Sequence, residues 1–215
     1  MMTGLTRYMI GATARCADGA CGQVSRVVMD PAAMTVTHLV IEPEDPPELG
    51  RLVPLDLLDT RPGEISLRCT TAEFCQLPRA EKTQFVRGTG DFARYGQDQP
   101  VRPYLAQAGS RPGAGVDGRL PQTFTYDVLP AGEVVVRGGD PVHAIDGEAG
   151  HVTGVVVDAG TRQVAYLLVH ARHLLGKNIA VPVSAVTRVD AGIQLDIARD
   201  DVMHLPAVEL GQAGG

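Results

Sequence analysis

The 215 residues carry a net charge of −6 (pI ≈ 5.5), 44% apolar and 20% charged side chains, and a mean hydropathy of +0.02. That balance excludes a disordered chain, and the acidity excludes a partner held mainly through phosphate contacts, which need clustered Lys and Arg, so DNA binding is not expected. Aromatics reach only 4% with no Trp, whereas 25 Gly and 15 Pro call for many turns between short elements and hence for β structure.

The opening Met1–Tyr8 is mixed and polar, so no secretory signal is expected. The longest apolar stretches, such as Val152–Val157 and Val164–Val169, fall far below the ~20 residues of a spanning helix. The chain is expected in the cytoplasm, with no membrane span.

From residue 12, Asp18-Gly19 sits between extended runs and predicts a β-hairpin over 12–29, since Asp-Gly supplies positive φ in tight turns. A turn at Asp30-Pro31-Ala32-Ala33 follows, with Asp30 bonding its own backbone, and then a third strand over Val36–Glu42. The acidic run Glu42, Glu44, Asp45 and Glu48 surrounds Pro46-Pro47; its spacing fits no calcium loop, and it is read as a solvated loop over 42–48. Gly50–Pro54 predicts a short strand ending in a residue without a donor, and Ile65-Ser66-Leu67-Arg68 alternates as a half-buried strand. Thr70 and Thr71 open a short helical turn that stops at Leu77-Pro78.

Over 82–138 the periodicity breaks, with Gly88, Gly90, Gly96, Pro100, Pro103, Gly109, Pro112 and others interrupting every run. This reads as a Gly/Pro-rich linker, partly flexible and slightly basic. The pattern then returns. Residues 11–81 align without a gap on 139–209 at an offset of 128, with 17 identities over 71 positions. The shared set is turn and apolar residues: Asp18-Gly19 over Asp146-Gly147, Gly22 over Gly150, Val27-Val28 over Val155-Val156, Leu39 over Leu167, Val53-Pro54 over Val181-Pro182. Val24, Val28, Leu39 and Val53, with their counterparts Val152, Val156, Leu167 and Val181, are the expected core, and the two repeats are expected to dock as a pseudo-symmetric pair. Five or six short strands in each repeat suggest a small barrel, because closure removes exposed edges. The expected division is therefore 1–81, a linker over 82–138, and 139–215.

Chemistry-bearing residues have plainer readings. The four cysteines fall in the first repeat, opposite Ala144, Ala149, Ile197 and Met203, as small core-filling groups would. A two-residue turn at Asp18-Gly19 would place Cys16 opposite Cys21, at a separation that permits a disulfide. The Cys16-x4-Cys21 and Cys69-x5-Cys75 spacings lack the close pair of a structural zinc site. His170 and His173 would face opposite ways on a strand; His38 aligns with Tyr166 and His204 with Gln76, as surface groups would. No catalytic, cofactor-binding or metal-binding residue is assigned, and no enzyme is expected.

The run Asp146-Gly147-Glu148-Ala149-Gly150-His151-Val152, then Val155–Asp158, Val164–Val169 and Ile179–Val186, resembles the PRC-barrel family, and Asp18-Gly19, Gly22-Gln23-Val24, Val36–Ile41 and Val53–Leu58 show the same frame. The resemblance covers about two thirds of the chain and implies an all-β protein of two small PRC-barrel-like domains in tandem. It also implies a non-catalytic binding module with a protein partner. The alternative it offers is an accessory factor for RNA processing or ribosome assembly, which the acidic charge and scarce aromatics disfavour.

Overall fold

The structure is a computed structural model that describes residues 4–43, 49–59, 65–86, 122–171, 178–190 and 192–208. In chain order the elements are β1 (Leu5–Met9), β2 (Thr13–Cys16), β3 (Gly19–Asp30), β4 (Thr35–Glu42), β5 (Arg51–Pro54), β6 (Leu58–Asp59), β7 (Ile65–Leu67), α1 (Thr71–Phe74), β8 (Glu81–Val86) and β9 (Gln122–Asp127). They continue as β10 (Val134–Arg137), β11 (Pro141–Ala144), β12 (Gly147–Asp158), β13 (Val164–Ala171), β14 (Asn178–Pro182), β15 (Val186–Val189), β16 (Ile193–Leu195), α2 (Arg199–His204) and β17 (Ala207–Val208). The chain is mostly β, in two large sheets, one of them a curled half-barrel.

The first sheet runs β5-β4-β3-β2-β7-β6 and the second β15-β16-β11-β12-β13-β14-β17, with β2–β7 and β11–β16 as the equivalent parallel contacts. The predicted hairpins, third strands and helical turns are all present within a residue or two. The tight turns are displaced, however. Cys16 pairs with Gly19 and Ala144 with Gly147, so the loop residues are Ala17-Asp18 and Ile145-Asp146 rather than Asp-Gly. A bulge follows in each hairpin and leaves Cys21 and Ala149 outside the paired register.

Gly22 and Gly150, identical across the repeats, sit just past these bulges at φ +145 and +158. A Cβ at Gly22 would lie 2.1 Å from the Glu42 carbonyl oxygen, and one at Gly150 2.3 Å from that of His170. Only glycine lets the neighbouring backbone pass so closely.

The strongest departure from the sequence reading is that the repeats trade strands. β1, which precedes the first repeat, pairs antiparallel with β12 of the second, with Thr6 opposite Val157 and Tyr8 opposite Val155. β10, which precedes the second repeat, pairs antiparallel with β3 of the first, with Val134 opposite Met29 and Val136 opposite Val27. These registers coincide at the offset of 128, so the exchange is reciprocal and pseudo-two-fold. Tyr8 and Val136 join one core cluster that also holds Leu39, Val53, Phe74, Leu167, Val181 and Val202. The boundary drawn at 81/82 therefore does not separate the two sheets, since β1 belongs to the second and β10 to the first.

The segment read as a linker contains structure: β8 and β9 form a two-stranded antiparallel ribbon, and β10 completes the first sheet. Residues 87–121 of that segment lie outside the described residues. Val24, Val152, Leu39, Leu167, Val53 and Val181 are buried as expected. Val156 is only half-buried, because the register shift between Val152 and Gly154 switches the alternation and puts Val155 and Val157 inward instead. Its counterpart Val28 is buried in a separate small cluster with Val40, Leu52, Ala80 and Val135. Among the described residues no helix is long and apolar enough to cross a membrane.

Candidate functional site

Each β3–β4 and β12–β13 turn begins with an aspartate that accepts from the turn's own amides: Asp30 from Ala32 (2.8 Å) and Ala33 (3.2 Å), Asp158 from Gly160 (2.9 Å) and Thr161 (2.8 Å). These turns then deliver Met34 and Arg162 into the left-handed region, at φ 50 and 60. That conformation costs of order 1 kcal/mol for a residue with a side chain. Here it carries the Met34 carbonyl to the Val164 amide (2.8 Å) and the Arg162 carbonyl to the Val36 amide (3.0 Å). Thr35 and Gln163 bridge at the same place, and the Arg162 guanidinium reaches Asp56 across the seam. The repeats are thus joined at the exchanged strands and at the turn tips, with the same bonds made in both directions.

On the first sheet Arg26 and Arg137 stand opposite one another in the β3–β10 register. Two arginines side by side repel unless carboxylates neutralise them. Arg26 contacts Glu81, Asp127 (2.8 Å) and Glu42 (3.0 Å), and Arg137 also reaches Asp127. Glu81 and Asp127 are paired residues at the base of the ribbon, so this network fastens the ribbon to the exchanged strand. Thr37 and Glu133 add a hydrogen bond of 2.9 Å on the same side.

Asp18 and Asp146 do more than shape turns. Each reaches 53 residues along the chain, Asp18 to the Thr71 amide (2.8 Å) and Asp146 to the Arg199 amide (2.9 Å), and so caps the first turn of α1 or α2. At α1 Thr70 and Glu73 complete a capping box. Side-chain and backbone hydrogen bonds from Thr71 hold the Asp18 carboxyl below its ordinary range, and the amides of Thr70, Arg199 and Thr161 do the same for Glu73, Asp146 and Asp158. Each group therefore stabilises the fold fully above its unfolded pKa of about 4 and loses that contribution as pH falls through its lower folded value. Denaturant midpoints measured from pH 7 down to pH 3 are expected to hold steady and then drop, and Asp18→Asn with Asp146→Asn should flatten that drop.

Cys16, Cys21 and Cys69 are buried free thiols, and Cys75 is exposed. Burial pushes the Cys16 and Cys21 thiols up, with the Cys16–Cys21 contact adding to the rise at Cys16. They are protonated packing groups at neutral pH, since thiolate is the reactive form. The reading of Cys16 directly opposite Cys21 fails with the displaced turn: Cys16 faces Gly19, and Cys21 lies in the bulge. A cleft of about 540 Å³ opens beside this hairpin between Arg15, Asp18, Asp59, Ser66 and Arg68.

Glu44, Asp45 and Glu48 of the acidic loop, and His173, lie outside the described residues, while Glu42 is engaged by Arg26. His204 Nδ1 lies 2.6 Å from the Asp200 carbonyl, and His38 Nδ1 lies 3.0 Å from the Thr37 hydroxyl and 3.7 Å from Glu133. His170 finds a neighbour that its own segment did not suggest, because β12 places His151 directly opposite it. Among the described residues no group of three or more His, Cys, Asp or Glu is arranged to hold a metal ion. No protein-family model matches the chain, and a search of curated proteins finds no similar one.

Proposed function

We propose that this chain is a non-catalytic interaction module of the PRC-barrel type, two small β-barrels combined into one body that binds a protein partner in the cytoplasm. The observation that carries the reading is the reciprocal exchange of β1 and β10, which gives the two repeats a fixed mutual geometry and one shared core. Rigid presentation of two related faces lowers the ordering cost of binding, which favours a scaffold over a pair of tethered beads. The acidic balance and the sparse aromatic content support a protein partner over RNA.

The test is affinity capture from native lysate with and without ribonuclease, using the wild type and Gly154→Glu. A Cβ at Gly154 would lie 2.4 Å from the Tyr8 carbonyl oxygen, so any side chain there pushes β1 off β12. The expected result is a protein that survives ribonuclease and is lost with Gly154→Glu. Loss on ribonuclease treatment would favour the RNA alternative, and retention by Gly154→Glu would remove the joint surface.

A further inference from the structure

We propose that His151 and His170 form a two-imidazole site for a borderline divalent transition-metal ion, zinc being the simplest case, on the outer face of the second sheet.

The two residues are direct partners in the β12–β13 register. Their chain neighbours Gly150, Val152, Val169 and Ala171 are all buried, whereas both histidines are partly exposed, so the two rings share the outward face. Directly opposed residues hold their Cβ atoms about 4.5–5.5 Å apart, which lets two imidazoles converge on one ion at Zn–N distances of about 2.0–2.1 Å.

One ring nitrogen of His151 is left without a protein partner. The Glu148 carboxylate lies 3.7 Å from His151 Nε2, while His151 Nδ1 is buried and has no hydrogen-bond partner. At that distance the carboxylate makes no hydrogen bond to the ring, so Nδ1 is a ring nitrogen that no protein group satisfies and that a metal ion could use. His143, opposite Glu148 on β11, is a further titratable group on this part of the sheet. No third protein donor completes a cluster among the described residues, so the protein supplies two ligands and water fills the remaining positions.

The first repeat offers a built-in comparison. Its equivalent cross-strand pair is Gln23 and Glu42, and Glu42 there serves Arg26. The site thus belongs to one repeat only, and it is independent of the interaction reading above.

Tag-free full-length protein is titrated with Zn²⁺ by calorimetry, and with Cu²⁺ under electron paramagnetic resonance to count nitrogen ligands. One ion per chain and two equatorial nitrogens are expected. His151→Ala and His170→Ala should each weaken Zn²⁺ by more than about tenfold, whereas His204→Ala on α2 should leave it unchanged. His151→Gln, which installs the residue of the first repeat, checks that the loss is of a ligand and not of the fold, with circular dichroism confirming structure. Absence of saturable binding by the wild type, or an ion retained after either histidine is replaced, overturns the site.

Discussion

Expressed as separate pieces, residues 1–85 and 133–215 are each expected to lose their cooperative unfolding transition or to melt far below the intact chain, and to recover it when mixed in equal amounts. The first piece carries β1 but lacks β10, so the Arg26–Met29 edge of β3 is left open; the second carries β10 but lacks β1, so the Gly154–Asp158 edge of β12 is open. Each piece also exposes its half of a core that is continuous across the repeats. A unit of some 80 residues is marginal even with all its strands, and removing one whole strand leaves both unpaired backbone and bare apolar surface. Mixing restores both pairings at once, which makes recovery dependent on concentration. Thermal scans of each piece and of the mixture check this. If each piece melts where the whole chain does, the exchange contributes nothing to stability.

Leu167→Ala and Leu39→Ala are expected to destabilise by about 2–5 kcal/mol each, because both side chains are buried and packed within the shared cluster. For a chain of this size that corresponds to a fall of roughly 5–15 °C in melting temperature. Val156→Ala is the contrasting case. Its side chain is half-buried, and it pairs with Arg7 and Tyr166 on the outer face, so its truncation should cost less than about 1 kcal/mol. Equal losses at Val156 and Leu167 would show that the strand faces are assigned wrongly.

Element type was legible wherever the repeat carried identical residues. Val36 and Val164, Val53-Pro54 and Val181-Pro182, and Ile65 and Ile193 all mark strands that are present in both sheets. The exchanged strands escaped for a definite reason. At an offset of 128, Leu5–Met9 falls on Glu133–Arg137 without one identical residue, so the repeat boundary was drawn just inside them. Backbone pairing needs no particular side chain at an edge, so the equivalence lies in the hydrogen-bond ladder and leaves no trace in residue identity. Asp18 and Asp146 were visible as repeated turn residues, but their caps on α1 and α2 reach 53 positions away and emerge only with the fold. His151 and His170 are 19 positions apart, and only the register, displaced by bulges that no local motif announces, brings them opposite.

The exchange also sets the order in which the protein can be completed during synthesis. β1 is made well before its partner edge, which begins at Gly154, and the edge of β3 must likewise wait for Val134. At about 5–20 residues per second, β1 spends on the order of 10–30 s without its ladder. The first sheet can therefore close only when β10, just ahead of the second repeat, has been made, and β1 stays unpaired until β12 of the second repeat follows. The nascent chain carries an open β3 edge until Arg137 is made and an unpaired β1 until Asp158 is made, and closing them is a long-range event, the kind that slows folding and invites edge-to-edge association in the interval.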